Sequence, residues 1–192
     1  MNPRIVVLAS GTGTLFEALL DSQVGELVVA LVSDQPTARA VEIAVNRDLE
    51  VGVIPMGDFS TRVKWESALL GCVMAMKPDL IVTAGFMRVL SPTFVDAFPD
   101  QIVNSHPSLL PAFPGAYAVR DALAAGVSQT GCTVHKVDHG VDTGEVIAQC
   151  EVAVEPGESQ AALHERIKAV ERALLPQCVE HILVNRFGRS FK

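Results

Sequence analysis

Residues Asn104 to Pro111 read Asn-Ser-His-Pro-Ser-Leu-Leu-Pro and come directly after the apolar run Gln101 to Val103. Asn104 and His106 are two apart, so on extended backbone their side chains share a face. An amide donor beside an imidazole suits a developing oxyanion together with a proton transfer. Pro107 fixes the backbone immediately after His106, and Pro111 and Pro114 stiffen the next stretch of chain. The plainer reading is an Asn that caps a turn and a His satisfied by backbone. The proline bracing favours an imidazole that is deliberately positioned.

A second group of polar residues lies further along. Val137-Asp138-His139-Gly140-Val141-Asp142-Thr143-Gly144 supplies two carboxylates and a His in a glycine-containing loop. A carboxylate brought against His106 would orient its ring and favour its charged form. A solvated hairpin loop would use the same residue types, so composition leaves both readings open. No His/Asp spacing here matches a metal-ligand pattern, and we expect no metal.

Near the start, Ser10-Gly11-Thr12-Gly13-Thr14 separates an apolar run from a helical one. Glycines there let backbone amides approach a ligand, and a helix N-terminus favours an anion. The third glycine of a dinucleotide fingerprint is replaced by Phe16, and no Gly-Lys-Ser/Thr is present after the loop. A monophosphate is the better fit, with an ordinary capped turn as the alternative. Gly85 to Leu90 comes after another apolar run and has the mixed composition of a pocket wall. Trp65 and Phe59 read as core or helix-flank residues.

These segments need elements to present them. Arg4 to Ala9, Glu26 to Ser33, Val51 to Pro55, Asp79 to Ala84 and Gln101 to Asn104 read as strands. Helical patterns over Leu15 to Leu20, Thr37 to Arg47 and Thr61 to Met76 alternate with them. The strands are near-continuous apolar runs, which predicts a mostly parallel, doubly wound α/β sheet with helices on both faces. In such sheets ligands bind outside the carboxyl ends of the strands. After a helix at Ala116 to Ala125, Gln129 to Val137 and Glu145 to Val154 predict a late antiparallel strand pair. Glu158 to Val184 predicts a long helix with Leu163, Ile167, Val170, Leu174 and Leu175 on one stripe and a kink at Pro176.

The bulk properties narrow the function classes. With 192 residues, 49% hydrophobic and 19% charged, the chain can bury a full core, and we expect one domain spanning 1–192. The net charge of -7 argues against nucleic acid as the main partner. Ile5 to Ala9 is too short to span a bilayer, so no membrane association and a cytoplasmic location are expected. Cys72, Cys132, Cys150 and Cys178 are scattered and read as free thiols.

Taken together, Val6 to Gly13, Ala84 to Pro92, Asn104 to Pro111 and Val141 to Gly144 make the chain closely resemble the phosphoribosylglycinamide formyltransferases, folate-dependent enzymes of purine synthesis. The matching pieces run in family order over most of the chain. The resemblance implies a Rossmann-like formyltransferase fold, with residues 1–100 as the phosphate- and nucleotide-binding half and 101–192 as the catalytic and folate-binding half. It implies transfer of a formyl group from 10-formyltetrahydrofolate to the primary amine of glycinamide ribonucleotide; the sequence leaves the oligomeric state open, a homodimer included. His106, Asn104 and Asp142 would be catalytic. Gly11, Thr12, Gly13, Thr14, Leu15 and Glu171 would bind glycinamide ribonucleotide. Arg62, Met87, Arg88, Val89, Leu90, Asn104, Asp138, His139, Gly140, Val141 and Asp142 would hold the folate.

The chain departs from the family pattern at Leu15, where the loop often has Asn, at Ala112, where a basic residue is common, and at Tyr117, where His is frequent. Rival readings are a formyltransferase acting on methionyl-tRNA or a sugar nucleotide amine, a formyl-folate hydrolase, and a non-catalytic nucleotide-binding module. The tRNA enzymes carry a further carboxyl-terminal domain and the hydrolases an amino-terminal one. An acidic chain with its first strand at Arg4 and its end at Lys192 is expected to be neither.

Overall fold

The computed structural model describes residues 2–188. The first two strands, β1 (Ile5–Leu8) and β2 (Val28–Ser33), are parallel neighbours, and β3 (Glu50–Val53) adds to β2. The chain then crosses back to place β4 (Leu80–Thr83) on the other side of β1, and β5 (Ile102–His106) beside β4. Strands β6 (Gln129–Lys136) and β7 (Val146–Ala153) complete a seven-stranded sheet in the order β3-β2-β1-β4-β5-β6-β7, both antiparallel to their neighbours. The reversal of winding at β1 and β4 opens a crevice at their carboxyl ends.

Alternation along the strands divides the core in two. Ile5 and Val7 face one layer with Phe16 and Leu19 of α1 (Thr14–Leu20), Ala40 and Ala44 of α2 (Arg39–Asn46), and Leu175, Val179 and Leu183 of α6 (Gln160–Phe187). Val6 and Leu8 face the other layer, with Trp65, Leu69 and Val73 of α3 (Arg62–Ala75) and with Phe94 and Phe98. Residues buried on both faces explain why the sequence of these strands is uninterruptedly apolar. The Trp65 indole is 1% exposed and donates its N–H to the Ile54 carbonyl at 2.8 Å, so both the ring and its polar tip are accounted for. Phe59 packs against the same cluster.

Several boundaries differ from the sequence reading. Helix α4 (Pro92–Ala97) is short and has no counterpart in that reading; Ser91 caps it by accepting from the Phe94 N–H, and Pro92 opens it. Strand β5 runs on through His106 because β6 pairs alongside it, setting Asn104 opposite His135 and His106 opposite Thr133. His106 therefore sits on the strand with Asn104 rather than just beyond it. Helix α5 (Ala118–Ala124) packs against α6, which is one helical run through Pro176 to a Gly188 cap. The four cysteines are free, and burial pushes the Cys132 thiol up to about 12 and Cys178 up to about 11, so neither is a ready nucleophile. Among the described residues no helix is long and apolar enough to cross a membrane.

Candidate active site

The carboxyl ends of β1, β4 and β5 open into a cleft of about 400 Å³, within the range of small-molecule sites. Its walls come from the 10–15 loop, the 83–90 segment, the end of β5, the 137–142 loop and α6. Asn104, His106 and Asp142, far apart in sequence, all line it.

Asp142 joins these groups. Its Oδ2 accepts the Gly115 backbone N–H at 2.8 Å and lies 3.3 Å from His106 Nδ1. Its Oδ1 lies 3.5 Å from both Asn104 Nδ2 and His135 Nε2. Burial works to raise the Asp142 carboxyl, but the His135 ring, the Gly115 N–H and the His106 ring outweigh it and hold the carboxyl below its usual range. The group is a carboxylate throughout the neutral range. The φ of 54° at Asp142 is left-handed, a conformation Asp tolerates better than most residues.

Each ring's role is set by the groups that face it. His106 Nε2 lies 2.9 Å from the Phe113 carbonyl, which can only accept, so this nitrogen carries a proton. Nδ1 is left to share a proton with Asp142. His135 is held the opposite way: its Nδ1 lies 2.7 Å from the Lys136 carbonyl, so in the neutral ring Nε2 is the acceptor. Asn104 Nδ2 meets that acceptor at 3.1 Å, while Asn104 Oδ1 accepts from the Thr83 hydroxyl at 2.6 Å.

On the opposite face of β5, Ser105 donates to Glu171 Oε1 at 2.6 Å. Glu171 is 3% exposed, and that burial raises its carboxyl above the usual range. Lys168 and His164, on the same helix, also line the cleft. Lys168 Nζ pairs with Glu165 at 2.8 Å.

The two glycines of the first loop do different things. Gly11 has nothing within 4 Å of where a Cβ would be. Gly13 has φ +70°, and a Cβ there would meet Ala40 Cα at 2.9 Å, so this glycine is required for α1 to pack on α2. Ser10 links this loop to the next. Its hydroxyl donates to Asp34 at 2.5 Å and accepts from the Met87 N–H at 2.9 Å. Asp34, with its side chain fully buried, also takes Arg88 Nε at 2.7 Å and Gln35. Burial tends to raise the Asp34 carboxyl, and bonds from Ser10, Arg88 and Gln35 more than reverse this.

Of the residues expected to bind ligands, Gly11, Thr12, Gly13, Thr14, Leu15 and Glu171 line the cleft. So do Met87, Arg88, Val89, Leu90, Asp138, Gly140 and Val141. Arg62 and His139 are not among its lining residues. Arg62 braces the wall from behind, donating to the Val89 carbonyl at 2.9 Å and pairing with Glu66 at 2.7 Å. His139 pairs with Asp96 of α4 at 2.8 Å. Tyr117 stacks under Arg120 with 4.0 Å to the ring centroid, and neither it nor Ala112 lines the cleft.

Sequence reasoning missed Thr83, His135, His164 and Lys168. The signal for His135 was present: a lone His in the strand run Gln129 to Val137, just before the loop that carries Asp142. Thr83, in an apolar run, had only its place at the strand's carboxyl end to mark it.

A family model described as formyl transferase matches residues 3–179. A phosphoribosylglycinamide formyltransferase of Mycobacterium tuberculosis is 49% identical over 179 residues, covering 92% of this chain and 83% of that protein. Among solved structures, glycinamide ribonucleotide transformylase 1 from Geobacillus kaustophilus superposes with a TM-score of 0.89 at 43% identity, over 95% of this chain and 100% of that one. The phosphoribosylglycinamide formyltransferase from Bacillus halodurans superposes with a TM-score of 0.91 at 36% identity, over 98% and 100% of the two chains.

Proposed function

Because the chain belongs to the formyl transferase family, we infer that it transfers a formyl group from 10-formyltetrahydrofolate to the primary amine of glycinamide ribonucleotide, as an enzyme of purine biosynthesis. The observation that carries the site assignment is the convergence of Asn104, His106 and Asp142 on one cleft, with Asp142 Oδ2 3.3 Å from His106 Nδ1.

The chemistry needs an amine to attack the formyl carbon, an oxyanion to be held, and a proton to pass from the amine to N10 as the carbon–N10 bond breaks. Asn104 presents an amide N–H beside the carboxylate, and the His106 ring, positioned by Asp142 and the Phe113 carbonyl, is the second donor when one of its N–H groups turns from these partners to the oxyanion. One such donor is worth on the order of 3 kcal/mol in barrier height. Asp142, ionised at neutral pH, receives the proton that the attacking amine must lose.

The substrates divide the cleft. The backbone of Gly11 to Leu15 takes the phosphate and ribose, with Lys168 of α6 as a cation lining the same cleft. Glu171 meets the glycinamide end. The folate lies along Met87, Arg88, Val89 and Leu90 and against Asp138 to Asp142, with the exposed Met87, Val89 and Val141 side chains supplying apolar surface. Arg62 acts from behind the wall and His139 through the loop's tether to Asp96. The phosphate-binding half (1–100) and the catalytic half (101–192) thus share one site in a single formyltransferase domain. No residue in this scheme requires a metal, and a cytoplasmic location suits the substrates.

The test is an absorbance assay for the folate product with glycinamide ribonucleotide as acceptor, run beside His106→Ala and Asp142→Asn. Both variants should stay folded and lose most turnover. Full activity in both would overturn the site assignment, and turnover only with another amine would overturn the acceptor.

A further inference from the structure

Asn104 can serve an oxyanion only if its amide points the right way round, and nothing in the amide's shape decides this, since O and N are nearly isosteric. The polarity is set one bond at a time from a group that cannot flip. The Lys136 backbone carbonyl accepts from His135 Nδ1 at 2.7 Å, which in the neutral ring leaves His135 Nε2 with a lone pair. That lone pair requires a donor, and the group 3.1 Å away is the Asn104 side chain, which must therefore present Nδ2. Oδ1 is then turned to Thr83, whose hydroxyl donates at 2.6 Å. The flipped amide would set Oδ1 against both the His135 lone pair and the Asp142 carboxylate oxygen 3.5 Å away. Thr83 has a second acceptor, the Val103 carbonyl at 3.2 Å, and its single proton goes to the much closer Asn104 oxygen.

We propose that Thr83 is a positioning residue for the transfer reaction: its buried hydroxyl, at the carboxyl end of β4, holds the Asn104 amide with its N–H donors on the His135 and Asp142 side. The inference rests on the formyl-transfer reading for its kinetic consequence, though not for its geometry. Thr83 is 5% exposed and lines the cleft beside Asn104. Without the hydroxyl, Oδ1 loses its donor, and the amide is free to swing away from the productive orientation. The amide would still be present, so ground-state binding of the two substrates should change little.

The experiment is steady-state kinetics on the full chain with Thr83→Val, which keeps volume and β-branching while removing the hydroxyl, and Thr83→Ser, which restores it. Thr83→Val should lower kcat about tenfold, the kinetic equivalent of one neutral hydrogen bond, with both KM values within about twofold. Thr83→Ser should recover most of the loss. In an Asn104→Ala background, Thr83→Val should cause no further loss, because there is no amide left to orient. An unchanged kcat in Thr83→Val, a Ser variant no better than Val, or an undiminished loss in the Asn104→Ala background would overturn the proposal. Should Thr83→Val fold poorly, Thr83→Ala in the same backgrounds gives the same reading. An independent readout is the exchange of the Asn104 side-chain amide protons by NMR, slow in wild type and Thr83→Ser and fast in Thr83→Val. Wild type inactive with glycinamide ribonucleotide but with that exchange pattern would sink the functional reading and leave the Thr83 assignment standing; equal exchange in all three would sink the assignment itself.

Discussion

Asp142 reaches across from the 137–144 loop to set its Oδ2 3.3 Å from Nδ1 of His106, and the same oxygen is pinned at 2.8 Å by the Gly115 backbone N–H. The carboxylate is thus anchored from a third segment, so it orients the imidazole rather than being oriented by it. The pinning and the nearby rings keep its pKa below 3.8.

That depression makes Asp142 a source of stability with a defined pH window. A carboxyl with a folded pKa below its unfolded value stabilises the fold above the unfolded value and loses that contribution as pH falls through the folded one. Asp142→Asn should therefore be less stable than wild type at neutral pH. The gap should close as pH drops below about 3.8. Urea unfolding of the two proteins at neutral pH and at the lowest pH where both fold checks this, and a gap that widens in acid would contradict it.

Glu171 has the opposite sign. Burial raises its carboxyl above 4.5, so the stability linked to its protonation is present below that value and is lost as pH rises through the folded pKa. Glu171→Gln keeps an acceptor for Ser105 and removes a charge that costs desolvation. Its thermal midpoint should match or exceed wild type at pH 8, with the difference shrinking toward pH 4.5. Its KM for glycinamide ribonucleotide should rise about tenfold, the effect of one lost charge-assisted contact. A KM that does not move would remove Glu171 from the substrate site.

The two glycines should separate in substitution. Gly13→Ala meets both a left-handed φ and the Ala40 backbone, and should cost about 1–3 kcal/mol in urea unfolding. Gly11→Ala has open space and should leave stability within about 0.5 kcal/mol while weakening substrate binding. Equal stability losses would contradict the division of roles.

Asp34 should act on both substrate loops at once. Asp34→Ala leaves Ser10 and Arg88 without their shared acceptor. Arg88 is about one-third exposed and regains some water, so the expected cost is about 2 kcal/mol rather than the larger figure for a fully buried pair. KM should rise for both substrates, because the Ser10 hydroxyl also holds the Met87 N–H. A rise for only one substrate would show that the loops are not coupled through this carboxylate.

The parallel half of the sheet could be read from its strands because residues such as Val6 and Val7 are buried on opposite faces, which leaves no polar position to break the run. Asn104 and His106 were legible because polar groups braced by proline at a strand end have few structural reasons to be there, whereas Asp142 lies in a loop whose residue types suit a solvated hairpin equally well and was singled out only through the family resemblance. His135 and Thr83 were not, since each sits in a strand where burial and pairing hide a polar side chain among apolar neighbours. Only the register Asn104 to His135 reveals why the His is there. Helix α4 escaped notice because six residues are too few for a periodic pattern, although Ser91 and Pro92 marked its start. Arg62 shows a further limit: the family resemblance implied a folate contact, and its geometry ties it to the Val89 carbonyl.

Transfer of a formyl group between two particular molecules is best measured by tracing the carbon itself. The wild-type chain is incubated with glycinamide ribonucleotide and with 10-formyltetrahydrofolate carrying an isotopic label in the formyl carbon, and the label is located by mass spectrometry. Label should appear on the glycinamide amine, in step with tetrahydrofolate, and should be abolished in His106→Ala. Labelled formate with no labelled amide, or label on the amide at the same rate without His106, would contradict the assignment of both the reaction and its site.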